Sequence, residues 1–278
     1  MKSNYRYIVK AFMAMAVIAG TTSCDDFLDR EPMSSISPET YYSTAAQLEA
    51  NLNDEYPNVL PSFGQWTYGI FGEDKGTDNQ IEVNANDRYT QDRWKVPHSE
   101  SDNWKFERIY RINFFLSEAL PKFGEDMSGS QNTISGSVAT IKHYIGEMYF
   151  LRAYEYFKKL QLFGDFPIIN QPLADEMEAL REASKRFPRN EVARFIISDL
   201  DKAYAYMSDV DMATTRINKD AAMLVKSRVA LFEATWLQNF KGTAFVPGGE
   251  GWPGASLHNN YQYPSGNLDN EVKYFLEQ

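Results

Sequence analysis

The stretch from Val138 to Phe163 sets the first limit on what this chain can fold into, because it is apolar on more than one side of a helix. Ile141, Ile145 and Met148 recur at helical spacing on one side, and Phe150, Tyr154 and Phe157 on another. A helix with two apolar faces needs neighbours on two sides, as in a stack of helices. Its end is marked in Leu162-Phe163-Gly164-Asp165-Phe166-Pro167. Gly164 can take the left-handed cap conformation, and Pro167 blocks continuation.

Two more helices are read from single stripes. Val192, Ile196, Leu200, Ala203 and Met207 fall three or four apart within Asn190–Met207, as do Ala222, Val225, Val229, Phe232 and Trp236 within Lys219–Phe240. Ser37-Pro38-Glu39 carries the signals of a helix start, and that helix is expected to run to about Tyr56, before Pro57. Trp104–Lys122 and Leu268–Gln278 complete the set. Strand signals of comparable strength are missing. The expected fold is mostly α, with tetratricopeptide-like antiparallel helix pairs and long irregular loops, but no strict repeat of tetratricopeptide length. Phe275 and Leu276 have no downstream packing partner in the sequence, so the natural chain is expected to continue beyond Gln278.

The N-terminus reads as an export signal. Lys2, Arg6 and Lys10 form a basic region, Ala11 to Gly20 an apolar core too short to span a bilayer, and Thr21-Thr22-Ser23 a run of small residues. Cys24 follows, and it is the only cysteine in 278 residues. It has no partner for an internal disulfide, and lipid attachment is its most economical use. The expected organisation is a signal peptide over 1–23, a lipidated tether over 24–38 and a helical domain over 39–278. The acidic run Cys24-Asp25-Asp26-Phe27-Leu28-Asp29 resembles the signal that sends lipoproteins to the outer face of some Gram-negative outer membranes.

Charge narrows the partners. The whole chain has 38 acidic and 28 basic residues and a net charge of −10. Residues 1–23 carry three basic and no acidic residues, so the remaining 255 have a net charge of −13. Such a chain is a poor match for nucleic acid, whose phosphates need basic patches, and for anionic lipid surfaces. Contact with the membrane is therefore expected through the lipid anchor only.

Catalytic signatures are weak. His98, His143 and His258 lack metal-type spacing, and no phosphate loop or serine nucleophile elbow is present. His98 and His258 are expected in solvated loops and His143 on a helix surface. Asp74–Glu82 superficially suggests a calcium loop, but its glycine falls third and its terminal spacing is wrong. No catalytic residue, metal or cofactor is expected. A pair of carboxylates suffices for glycoside hydrolysis, so a lipid-anchored glycosidase stays open as an alternative.

Binding chemistry is easier to find. Residues 57–103 combine glycine and proline breakers with Trp66, Tyr68 and Trp94, and with Asp74, Asp78, Asn79 and Arg88 among them. A loop of this length inside a domain is usually functional or disordered. Flat rings can stack on sugar faces while the polar groups meet hydroxyls. The competing reading is that the tryptophans pin the loop to the helices. Trp252, among the glycines and prolines of 241–267, is open to the same two readings. Trp236, on an apolar stripe, is expected in the core, Trp104 to be structural, and Arg152 and Arg228 to be buried pairs or stem-packing residues.

Five segments then carry a resemblance. They are Cys24–Pro32, Trp104–Leu116 (WKFERIYRINFFL), Glu147–Ile169 (EMYFLRAYEYFKKLQLFGDFPII), Pro188–Tyr204 (PRNEVARFIISDLDKAY) and Arg216–Trp236 (RINKDAAMLVKSRVALFEATW). In this order they resemble the N-terminal part of the SusD/RagB family of outer-membrane nutrient-binding lipoproteins. The resemblance implies a scaffold of helical-repeat pairs and a binder of oligosaccharides without catalytic activity. It also implies a SusC-like TonB-dependent β-barrel transporter as partner, on which such proteins sit as a lid. A non-catalytic scaffold for outer-membrane complexes is the alternative within the same architecture.

Overall fold

A computed structural model of the chain describes residues 41–61, 103–124, 126–208 and 212–278. From Tyr42 onward they belong to one unit. The expected start at Ser37-Pro38-Glu39 and the residue read as the anchor, Cys24, lie outside the described residues.

Seven α-helices make up the described part: α1 (Ala45–Val59), α2 (Glu107–Phe123), α3 (Val138–Phe163), α4 (Met177–Ala183), α5 (Arg189–Tyr206), α6 (Lys219–Asn239) and α7 (Leu268–Leu276). Two isolated bridges, Thr44 to Ser135 and Phe166 to Phe187, are the β-type pairings among the described residues. Side chains cap the helices where the sequence offers acceptors. Ser137, Asn218 and Asn267 cap α3, α6 and α7. Thr44 and Gln47 form a reciprocal capping box at α1. This box fixes the start of α1 at Ala45, whereas the sequence placed the opening at Ser37. The helix also continues past Pro57 to Val59, because its last turn still closes through the Leu60 N–H on the Tyr56 carbonyl at 2.9 Å.

Helix α3 is the centre of the stack, with 17 of its 26 residues buried on both sides, as its two apolar faces require. Its register against α5 is antiparallel. Tyr149 stacks on Tyr206 at 5.7 Å, Arg152 pairs with Asp199 and Tyr156 meets Phe195 edge-on at 4.9 Å, so positions climb on one helix as they fall on the other. Gly146 allows the closest approach. A Cβ there would lie 2.8 Å from the Met207 nitrogen and 2.9 Å from the Ala203 carbonyl. Helices α5 and α6 are also antiparallel, since Asp201 meets Lys226 while Arg189 meets Glu233. On the other side, Asn113 of α2 accepts from Arg152, and Trp104, just before α2, touches Phe163. Successive antiparallel hairpins of this kind are the tetratricopeptide-like arrangement expected from the stripes.

The stripe of α5 is buried throughout: Val192, Ile196, Leu200, Ala203 and Met207 are each at most 1% exposed. That of α6 is covered less completely. Ala222 and Val229 are buried, while Val225, Phe232 and Trp236 are only half-buried. Arg152 is a buried pair as expected, but Arg228 is exposed, because it falls on the outward side of α6. His143 is also corrected. It is buried rather than on the surface, with Nε2 3.0 Å from both the Ile217 carbonyl and Glu147, and it ties α3 to the approach to α6. Helix α4 went unread in the sequence, having no buried residue to give it a stripe. Phe275 of α7 does find a partner, and it is upstream. The ring is 1% exposed, and Arg194 of α5 holds Glu271 while lying 5.9 Å from the Phe275 centroid.

Candidate functional site

A cleft of about 500 Å³ opens where three pieces of chain meet, namely the end of α3, the start of α5 and the 241–257 loop that follows α6. The local sequence explains the meeting. Gly164 ends α3 with φ of +70°, its N–H closing on the Leu160 carbonyl at 2.9 Å, and this turns the chain so that Asp165 faces back toward α5. One Asp165 oxygen accepts the Arg189 backbone N–H at 2.9 Å, and the other accepts the Trp252 indole N–H at 2.8 Å. A single carboxylate thus joins all three pieces. Burial pushes its pKa up, opposed by the Trp252 and Arg189 hydrogen bonds.

Arg189 forms the next layer. Its guanidinium makes a two-point pair with Glu233 of α6, Nε to Oε1 at 3.0 Å and Nη2 to Oε2 at 2.9 Å. The same group lies 4.0 Å from the centroid of Trp236, which donates its indole N–H to the Phe245 carbonyl at 3.0 Å. Trp236 is therefore a half-buried wall of the cleft and a tether for the loop, not the core residue its stripe suggested, because it packs on Arg189 and the loop after α6 while Leu237 beside it takes the fully buried position. Phe245 is left 61% exposed on the cleft, with Leu162 and Leu257 also exposed beside it. Arg186, which also lines the cleft, extends its guanidinium 4.6 Å over the Trp104 ring.

Of the eight residues the sequence marked for ligand binding, only Trp252 is among the described residues. Trp66, Tyr68, Asp74, Asp78, Asn79, Arg88 and Trp94 lie outside them, as does His98. Trp252 resolves as a loop anchor on the cleft wall: it is 5% exposed, holds Asp165 and is flanked by His258 and Tyr261. His258, expected in solvent, is half-buried and donates from Nε2 to the Arg186 carbonyl at 2.8 Å. Trp104 is structural as expected, edge-on to Phe163 and Phe166. Nothing in the local residue pattern singles out Asp165, Arg186, Arg189 or Phe245. The first and third do stand inside two of the segments that carry the family resemblance.

Chemically the cleft offers one exposed ring, apolar flanks and a guanidinium. Among the described residues that line it, Asp165 is the one carboxylate, and both its oxygens accept hydrogen bonds. Among the described residues no group of three or more His, Cys, Asp and Glu is placed to hold a metal ion.

Comparison with known proteins agrees with this architecture. Residues 26–231 match the SusD-like family described as "starch-binding associating with outer membrane". SusD-like protein P25 and SusD-like protein P2 of Formosa agariphila are each 25% identical to the chain, over 233 and 253 residues. Those alignments take in 77% and 87% of this chain, and 41% and 46% of the two proteins. The chain therefore spans less than half the length of these curated relatives. A SusD-like protein of Bacteroides fragilis of known crystal structure superposes with a TM-score of 0.52 at 21% identity, over 76% of this chain and 39% of that one, a likeness of fold. With the family match extending over well more than half of its residues, the chain belongs to the SusD-like family.

Proposed function

We propose that this protein captures oligosaccharides at the surface of a Gram-negative outer membrane and hands them to a SusC-like TonB-dependent β-barrel importer. The observation that carries this reading is membership of a family described as starch-binding and associated with the outer membrane. Cys24, at the end of an export signal, supplies the lipid anchor that such a location needs. Capture proceeds by binding without bond cleavage. Phe245 serves as the stacking platform, and Trp66 and Trp94 add aromatic surface to the same task.

The test is calorimetric titration of the full chain with maltoheptaose, laminarihexaose and trigalacturonate. Binding of at least one is expected, weakened about tenfold by Phe245→Ala, the loss of a stacking contact worth roughly 1.4 kcal/mol. Trp66→Ala and Trp94→Ala are expected to lower affinity as well. Silence across this panel, together with no β-barrel recovered when the tagged protein is isolated from outer membranes in mild detergent, overturns the reading.

A further inference from the structure

Arg186 is the one cleft-lining charge that the described residues leave unused. Its neighbours in the cleft are committed: Arg189 to Glu233, and both oxygens of Asp165 to the Arg189 N–H and the Trp252 indole. No ion pair or side-chain hydrogen bond engages the Arg186 guanidinium among the described residues, and the side chain is exposed. It is nevertheless held in place. The guanidinium lies over the Trp104 ring at 4.6 Å, and Trp104 is itself locked edge-on to Phe163 and Phe166 at 4.8 and 4.9 Å. The backbone is fixed on both sides. The Arg186 carbonyl accepts from His258 at 2.8 Å, and Phe187 exchanges both backbone hydrogen bonds with Phe166 at 3.0 and 3.2 Å.

A pre-oriented guanidinium loses little freedom on binding, and its planar fork of donors matches a carboxylate or a sulfate at two points. In a chain with a net charge of −10, an anionic ligand meets repulsion over most of the surface, so a free cation in a cleft is a local exception. Asp165 lies within electrostatic reach of Arg186 but makes no direct pair with it, because one of its oxygens accepts the Arg189 backbone N–H and the other the Trp252 indole N–H.

We propose that the cleft selects saccharides bearing a negative charge, a uronate carboxylate or a sulfate ester, with that group paired to Arg186 and a neighbouring ring stacked on Phe245. The proposal rests on the glycan-binding reading and gives it a substrate class.

The test compares trigalacturonate with its fully methyl-esterified form, the same sugar without charge, on the full chain at low salt. The acid is expected to bind about tenfold more tightly than the ester. About 0.5 M NaCl should shrink that ratio, since salt screens an exposed pair. Arg186→Gln should bring the ratio to about one, and Arg186→Lys should leave it intermediate, with charge kept and the fork lost. A sulfated chondroitin hexasaccharide and its desulfated form make the second arm, and a preference there alone identifies the sulfate as the anchored group. Equal affinity for both members of each pair, or a ratio unmoved by Arg186→Gln, overturns the proposal. If maltoheptaose binds while no charged preference exists, only the substrate class fails. If no saccharide of either kind binds, the glycan reading falls and takes this proposal with it.

Discussion

Arg152 of α3 and Asp199 of α5 face each other through two parallel hydrogen bonds in the protein interior, Nε to Oδ2 at 2.6 Å and Nη2 to Oδ1 at 2.8 Å. The remaining nitrogen of Arg152 reaches the Asn113 side chain at 2.9 Å and the Asn170 carbonyl at 3.1 Å, so the group links α2, α3, α5 and the segment after α3. With the two side chains 4% and 0% exposed, neither charge can return to water when its partner is lost. Asp199→Ala is expected to cost about 3–5 kcal/mol in urea unfolding. Arg152→Met with Asp199→Leu should recover most of that, since an apolar pair of similar volume avoids the burial of charge. A loss below about 1 kcal/mol in the single variant would show that water reaches the pair.

Helix contact at Gly146 gives a second expectation. A methyl group there meets the Met207 side chain at 2.8 Å, but also the Met207 nitrogen and the Ala203 carbonyl at 2.8 and 2.9 Å. Side chains can move aside, whereas the α5 backbone moves only if the helices separate. Gly146→Ala should therefore destabilise by about 1–3 kcal/mol despite its better helix propensity. Adding Met207→Ala should give no rescue. Rescue by that second change would place the obstruction in the Met207 side chain alone.

Acid sensitivity should report on α7. Burial alone would raise the Glu271 pKa, but hydrogen bonds from Arg194, Asn190 and Ser265 outweigh it and bring the group below its ordinary 4.5. A carboxyl depressed in the folded state stabilises above the unfolded pKa, and that contribution is lost as pH falls from 4.5 through the lower folded value. Urea midpoints of the parent should fall with pH in that window. Glu271→Gln should start lower near neutral pH and show a shallower decline. Parallel pH curves for the two proteins would remove Glu271 as the cause.

The stack was legible in the sequence where a helix has to satisfy two neighbours, and less so elsewhere. Val138–Phe163 is observed as expected, because two apolar faces demand a buried helix and Gly164 ends it, while the Ser137 cap at its start emerges only in the structure. Arg152 and Arg228 read alike in sequence, on apolar helices. They separate in the structure because α5 stands behind the first with an aspartate and nothing in the described residues stands over the second. His143 was misplaced for a related reason: the carbonyl that receives it, Ile217, is 74 residues away. The cleft was almost invisible. Its organising bond joins Asp165 to Trp252 across 87 residues, and periodicity within a helix carries no information about such a meeting.

That bond supplies the last expectation. Trp252→Phe keeps a ring of similar placement but deletes the indole N–H, leaving one oxygen of the buried Asp165 without its donor. Loss of a partner to a buried acceptor costs about 1–3 kcal/mol, and the carboxyl pKa should climb further once the lowering contribution from Trp252 is gone. Asp165→Asn alone should cost a comparable amount, since an amide cannot accept at both positions. If the two side chains act through one hydrogen bond, the double variant will be less damaging than the sum of the singles, with a coupling of about 0.5–3 kcal/mol. Additive losses would mean that the indole holds the loop by packing against His258 and Tyr261, and that Asp165 organises the cleft through Arg189 alone.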